Sequence, residues 1–239
     1  MSVLVDVLIF TGQYVFWHVV FGEREVVKGF SFEGIMTYYL LVRILSDIAN
    51  SKVGFTISEA VREGRISNYL LRPFRIKSWL LIEEIGNISF NLIIKLIVYS
   101  ISFMIIFSRL SFNLTTLPIS IISMFFALIL SFNVYFILGC LSFWTKNSKY
   151  INFAMRRVIL FLSGAVIPIT FFPEIFQNIL KYMPFRYFLD VPIGIYLQSE
   201  ISSRIFYEIL IQVVWIIVLW LLGNLILRWS IKSNESVGI

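Results

Sequence analysis

The chain has 239 residues, of which 59% are hydrophobic and only 14% are charged, and it carries a formal net charge of +6. Because so small a polar fraction does not coat a water-soluble globule of this size, the composition indicates a membrane protein and excludes a soluble one. The basic residues are spread over the loops between apolar stretches and form no single patch, which argues against a nucleic-acid partner.

Six apolar stretches reach, or nearly reach, the roughly 20 helical residues that cross a hydrocarbon core about 30 Å thick. They predict an all-α membrane protein in which residues 1–239 form a single transmembrane domain with six transmembrane helices. The predicted spans are 3–21, 35–53, 80–107, 114–143, 153–172 and 205–229.

The connections between these spans differ in charge, and the difference predicts their sidedness. Residues 52–79 carry six basic and two acidic side chains, and residues 144–157 carry four basic side chains and no acidic ones. By contrast, residues 22–33 have a net negative charge and residues 173–204 are balanced. Since Lys and Arg accumulate in cytoplasmic loops, the second and fourth connections and both termini are expected in the cytoplasm of a multi-pass cell-membrane protein.

The second connection also shows signs of a folded element. Thr56, followed three residues later by Glu59, predicts a capping box, and Gly64 suits the left-handed position after a helix C-terminus. A short helix is therefore expected from about residue 57 to 63, with an apolar face that a partner could bury. The alternative is a solvated loop whose only role is to carry positive-inside charge.

This connection resembles a known family of transporters. The run REGRISNYLLRP, residues 62–73, is similar to the cytoplasmic signature of six-span ABC-2 type transporter permeases, and residues 168–198 are similar to the extracellular segment before their last span. The resemblance implies that residues 57–73 form a coupling helix that rests in a groove of a separate ATPase subunit. The residues implied for this ATPase coupling are Glu59, Arg62, Glu63, Gly64, Arg65, Leu71, Arg72 and Pro73.

The resemblance further implies the partners of the chain. These are two copies of an ABC ATPase, a second permease chain that is identical or a sister subunit, and membrane lipids. No G-x-x-x-x-G-K-[ST] motif occurs in the sequence, so ATP and Mg are expected on the partner ATPase, with no cofactor, metal or catalytic residue in this chain. Family members also begin with an amphipathic helix before the first span, whereas only Met1 and Ser2 precede apolar sequence here.

Several polar residues fall inside the predicted spans. Arg43 and Asp47 lie one helical turn apart and are expected to form an ion pair, and the third span carries a polar stripe that must face protein or water. The ion pair fits a structural role, and the stripe fits interhelical hydrogen bonds. The alternative for both is a translocation path, and the stripe also fits a dimer seam. The residues concerned are Arg43, Asp47, Glu84, Asn87, Asn91 and Lys95. Glu208 and Gln212 share a face of the last span and are interpreted as interhelical contacts.

Residues 163–198 are divided by prolines into pieces too short to cross a membrane. They predict an extracellular re-entrant helical hairpin before the last span, since interrupted backbone at membrane depth must be buried in protein or line a cavity. Similar hairpins in transporters cap the exit route as an extracellular gate, and the alternative is an interfacial anchor. The candidate gate residues are Pro168, Pro173, Phe176, Pro184 and Phe185.

The sequence therefore predicts a permease subunit of an ABC-2 type exporter that carries out no catalysis itself. Two alternatives stay open at this point. A passive channel or membrane scaffold would need no docking helix, and a membrane-embedded lipid-modifying enzyme would need clustered catalytic groups, for which Glu83 and Glu84 are the one adjacent acidic pair in or near a span.

Overall fold

The structure is a computed structural model that describes residues 3–66, 69, 75–107, 114–145 and 148–235, and these residues are almost entirely helical. Nine α-helices occur in the described part of the chain. They are α1 (Val3–Phe21), α2 (Phe32–Ala49), α3 (Val53–Arg62), α4 (Ile76–Phe107), α5 (Leu117–Cys140), α6 (Ser148–Leu162), α7 (Glu174–Leu180), α8 (Asp190–Leu197) and α9 (Ser203–Glu235). Short 3-10 helices cover Leu141–Phe143, Ile169–Phe171 and Pro184–Phe188.

The helical content confirms the all-α prediction. Among the described residues, two helical stretches are long and apolar enough to cross a membrane, namely Leu117–Phe143 and Ser203–Lys232. They correspond to the fourth and sixth predicted spans. The number of six spans stays a prediction.

The helix within the fifth predicted span, residues 153–172, stops before the end of that span. Helix α6 ends at Leu162, and Gly164 follows with a φ of +84°. The apolar composition continues beyond this point, but glycine favours the left-handed turn, and the N-cap of the next 3-10 helix is Pro168. Composition predicted the extent of the apolar stretch, whereas backbone conformation determined where the helix stops.

A small antiparallel hairpin separates α1 from α2. Strands β1 (Val26–Val27) and β2 (Phe30–Ser31) pair in the register Val26 with Ser31 and Val27 with Phe30. The two residues between them, Lys28 and Gly29, both have positive φ, as tight two-residue hairpin turns require. The Oγ of Ser31 accepts a hydrogen bond from the Gly34 N–H at 3.1 Å, so the hairpin also caps the start of α2.

Helix α5 lies at the centre of the molecule and packs against α2, α3, α8 and α9. Its aromatic residues Phe132 and Phe136 are fully buried. The Tyr135 hydroxyl donates to the carbonyl of Ala49 at 3.0 Å, and the Ser131 hydroxyl donates to the carbonyl of Ile48. Because the last carbonyls of a helix have no partner within it, these bonds complete the end of α2 and fix the point where the chain turns into α3.

Candidate functional site

The short helix expected after the second span exists, and its end was predicted correctly. Helix α3 ends at Arg62, and Gly64 has a φ of +68° with its N–H bonded to the carbonyl of Val61 at 3.2 Å. The left-handed conformation explains why glycine stands there. We refer to residues 53–66 as the α3 segment.

The predicted start of this helix is wrong, as is the capping box. Helix α3 begins at Val53, and its N-cap is Lys52, which makes no side-chain capping bond. The Thr56 hydroxyl donates to the Lys52 carbonyl at 3.3 Å and therefore lies within the helix. The helix begins four residues earlier than the local pattern indicated because Val53 and Gly54 are buried against neighbouring helices.

The predicted coupling residues that the structure describes lie on the exposed side of the α3 segment. Arg62 forms ion pairs with Glu59 at 3.9 Å and Glu63 at 3.6 Å, and Arg65 pairs with Glu63. All four side chains are largely exposed, so these pairs contribute little to stability and leave a charged surface accessible. Leu71, Arg72 and Pro73 lie outside the described residues.

The opposite face of α3 makes an unusually close contact with α5. A Cβ added to Gly54 would lie 2.8 Å from the carbonyl oxygen of Tyr135 and 2.8 Å from the Asn152 Oδ1. A Cβ added to Gly139 would lie 3.0 Å from the Gly54 Cα and 3.0 Å from the Cβ of Ile57. Glycine at both positions therefore lets the two backbones approach within contact distance.

Hydrogen bonds fasten the same face to α6. The Asn152 side-chain amide donates to the Ser58 hydroxyl at 2.8 Å, and that hydroxyl donates to the Gly54 carbonyl at 2.8 Å. Arg156 donates from Nε to the Asn50 Oδ1 and from a terminal nitrogen to the Asn50 carbonyl, both at 2.7 Å. The residues before α3 are thus tied to α6 by a guanidinium that makes two bonds to one residue.

A third contact ties the start of α3 to α4. The backbone N–H of Lys52 donates to the Glu84 Oε1 at 2.8 Å, and Glu84 is only 7% exposed. The α3 segment therefore has a charged, accessible side and an opposite side that is joined to α4, α5 and α6. A force applied to the exposed side would be transmitted to all three helices, because the buried side has little room to move independently.

Sequence reasoning left the apolar face of this helix for a partner, whereas the chain itself buries it, with Ile57 3% and Ala60 4% exposed. It missed the small and polar residues of the same side. Gly54 and Ser58 have the small-xxx-small spacing that lets helices approach closely, and this spacing could have identified the contact face. Arg156 was assigned only to positive-inside charge. Nothing in its local sequence indicates Asn50 as its partner, since 106 residues separate the two.

The Asp47 carboxylate, which was expected to pair with Arg43, has an ion pair with a lysine of a neighbouring helix. The Asp47 Oδ1 lies 2.9 Å from the Lys95 Nζ, which also donates to the Ser46 hydroxyl at 2.7 Å. Helices α2 and α4 pack side by side, so a lysine of the neighbouring helix reaches the carboxylate. The polar stripe of the third predicted span thus faces α2 at Lys95 and the start of α3 at Glu84.

The middle of that stripe has a different environment. Asn87 is exposed and Asn91 is half-buried in this chain. An amide that faced lipid would lack hydrogen-bond partners, so an exposed Asn87 fits a surface that water or another protein chain covers.

The proline-rich segment, residues 163–198, is broken into short elements as its prolines predicted. Two 3-10 helices, α7 and α8 follow one another, and Pro173 and Met183 are N-caps. Among the candidate gate residues, Pro168 and Pro184 are buried, Phe185 is half-buried, and Pro173 and Phe176 are exposed. The structure therefore divides the five residues between the interior and an apolar outer face of α7, where Ile175 is 74% and Phe176 is 54% exposed.

Side chains of the long helices bind the irregular backbone of the proline-rich segment. The hydroxyls of Tyr38 and Tyr39 donate to the carbonyls of Gly164 and Val166, both at 2.9 Å. The Gln212 amide donates to the Tyr187 carbonyl at 3.2 Å. These bonds satisfy backbone groups that a broken helix leaves unpaired, which is the condition for irregular chain at membrane depth.

A largely buried charge cluster joins the same segment to α9. A terminal nitrogen of Arg186 lies 3.3 Å from the Glu208 Oε1 and 3.8 Å from the Asp190 Oδ2. Asp190 also accepts a hydrogen bond from the Ile169 N–H at 3.3 Å. The interpretation of Glu208 and Gln212 as contacts between elements is confirmed. Glu208 pairs with Arg186 of the proline-rich segment, and Gln212 bonds to Ser123 of α5 as well as to the Tyr187 carbonyl.

A family model described as ABC-2 family transporter protein matches residues 7–238, which is nearly the whole chain. No curated protein matches it.

Proposed function

The chain belongs to the ABC-2 family of transporter proteins, and we propose that it is the six-span transmembrane permease subunit of an exporter driven by a separate ATPase. Two permease chains, identical or sister subunits, enclose the path, and two ATPase subunits bind on the cytoplasmic side. The chain makes and breaks no covalent bond. Its work is the movement of helices between inward-facing and outward-facing arrangements.

The observation that supports this function best is the two-sided character of the α3 segment. Glu59, Arg62, Glu63 and Arg65 form a charged exposed surface, while the opposite face is fixed to α4, α5 and α6. Closure of the ATPases on ATP displaces the exposed side, and the fixed side passes the displacement to the helices as rigid bodies. A passive channel or a scaffold has no need for such an element.

The proline-rich segment lies, in this proposal, at the extracellular end of the transport path. We assign it the role of an extracellular gate, since its backbone depends on bonds from α2 and α9, and helix movements would change those bonds. The exposed apolar face of α7 then contacts lipid or the second permease chain.

The experiment that tests coupling replaces Gly64. Proline has a fixed negative φ and no N–H, so Gly64→Pro removes both the left-handed turn and the bond to the Val61 carbonyl. We expect substrate-stimulated ATP hydrolysis by the reconstituted complex to fall at least tenfold, to the level of the uncoupled ATPase, with unchanged amounts of chain in the membrane.

The matched control is Gly64→Asn, because asparagine tolerates the left-handed conformation and keeps the N–H. This variant should retain most of the stimulated hydrolysis. Normal coupling in Gly64→Pro would contradict the assignment of the α3 segment as the coupling element.

A further inference from the structure

A cavity of about 360 Å³ lies between the start of α4 and the last turns of α9. Its polar wall consists of Arg75, Lys77, Asn224 and Arg228, and its apolar wall consists of Ile76, Leu227 and Ile231. Among the described residues that line it, none is acidic. A cavity of this volume holds a small ligand, and the three cations select an anion.

Lys77 is the fixed element of this wall. It is only 2% exposed, its Nζ donates to the Trp220 carbonyl at 2.8 Å, and it lies 4.2 Å from the centre of the Trp220 ring. An ammonium group has three donors, and this backbone bond uses one of them. Helix α4 begins at Ile76 in the same wall, so the positive end of its dipole adds to the charge.

The two arginines of the cavity wall are exposed. Within the part of the chain that the structure describes, neither Arg75 nor Arg228 forms an ion pair. A guanidinium is well suited to a phosphate because its planar donors bind two oxygens at once.

The residues around the cavity have the composition of a membrane interface. Trp79 on α4 is 36% exposed and Trp229 on α9 is 66% exposed, and tryptophan is enriched at the level of lipid headgroups. From this level α9 continues with exposed leucines, including Leu221 and Leu225, toward the interior of the membrane. The cations, the tryptophans and then the leucines follow one another along the surface. A ligand with an anionic head and apolar chains matches this order.

We propose that the cavity binds the phosphate of an anionic phospholipid of the cytoplasmic leaflet, with the acyl chains lying along α9. The assignment to that leaflet rests on the orientation in the proposed function. A free phosphate shares the headgroup chemistry, but the wall formed by Ile76, Leu227 and Ile231 and the apolar side of α9 favour the lipid. A bound lipid would join the start of α4 to the last helix.

The test measures lipid retention by the full-length chain purified in mild detergent without any ATPase. The protein is incubated with phosphatidylglycerol or phosphatidylcholine, and bound lipid is counted by native mass spectrometry. We expect the unmodified chain to retain phosphatidylglycerol roughly tenfold better than the Arg75→Gln/Arg228→Gln variant, since each basic residue near an anionic surface strengthens binding several-fold. Retention of phosphatidylcholine should be the same in both.

Two further variants make the result specific. Ile231→Trp fills the cavity without changing its charge and should also lose phosphatidylglycerol. Arg24→Gln/Lys181→Gln removes two exposed cations elsewhere and should retain it.

Two results would overturn the proposal. One is equal phosphatidylglycerol retention by the unmodified chain and by both cavity variants. The other is full displacement of the lipid by millimolar inorganic phosphate, which would make the cavity a site for free anions. Because no transport or ATP hydrolysis is measured, failure here leaves the coupling role of the α3 segment intact, and failure of the Gly64 experiment leaves lipid binding intact.

Discussion

The α3 segment and the proline-rich segment are both built from short helices. They differ in where their charged side chains lie, which is the protein surface in the α3 segment and the interior in the proline-rich segment. The α3 segment exposes Arg62 and Glu63 and buries small residues against other helices. The proline-rich segment largely buries Arg186 and exposes Ile175 and Phe176. An accessible charge can bind a partner, whereas the loss of one partner from a buried charge cluster destabilises the fold. Removing a charge should therefore lower stability more in the proline-rich segment than in the α3 segment.

The largest effect is expected from Arg186→Met in the proline-rich segment. The substitution leaves the carboxylates of Asp190 and Glu208 largely buried without the cation that lies between them. Removing one partner of a buried ionic cluster costs about 3 to 5 kcal/mol. Thermal unfolding of the purified chain in detergent should show a correspondingly lower midpoint.

Arg204→Met is the matched control for that experiment. The Arg204 side chain is 74% exposed and lies 3.9 Å from the same Glu208 carboxylate oxygen. Its loss should cost less than about 1 kcal/mol, as for other surface pairs. An equal loss of stability in the two variants would contradict the view that burial makes Arg186 the more important partner of Glu208.

A smaller effect is expected from Gly54→Ala in the α3 segment. The added methyl group would lie 2.8 Å from the Tyr135 carbonyl oxygen, so α3 and α5 must move apart at a cost of about 1 to 3 kcal/mol. The same unfolding experiment measures it. Gly86→Ala in α4 is the control, because nothing lies within 4 Å of its added Cβ, and it should be neutral or slightly stabilising. Equal stability of the two variants would contradict the close contact.

The smallest effect on stability is expected from Arg62→Gln. Its ion pairs are exposed, and their loss should change the free energy of unfolding by less than about 1 kcal/mol. The same variant should nevertheless reduce substrate-stimulated ATP hydrolysis, because Arg62 belongs to the accessible surface. If Arg62→Gln lowered the unfolding midpoint as much as Arg186→Met does, the proposed difference between exposed and buried charges in the two segments would be wrong.

The two ends of α3 show which helix boundaries the local sequence can predict and which it cannot. Its C-terminus was predicted because Gly64 requires a left-handed conformation that few other residues adopt, and this requirement is local. Its start was missed because the pattern of Thr56 and Glu59 also fits the inside of a helix. What extended the helix to Val53 was burial against α5 and α6, which lie far away in the sequence.

The amino-acid sequence by itself determined the membrane class, the helical content and the division of residues 163–198 at the prolines. These properties follow from composition and from backbone preferences that each residue carries with it. Only the tertiary structure decided which polar groups meet, such as Lys95 with Asp47 and Tyr135 with the Ala49 carbonyl. The free energy of a buried polar group depends on its partner in space, and the residue itself does not specify that partner.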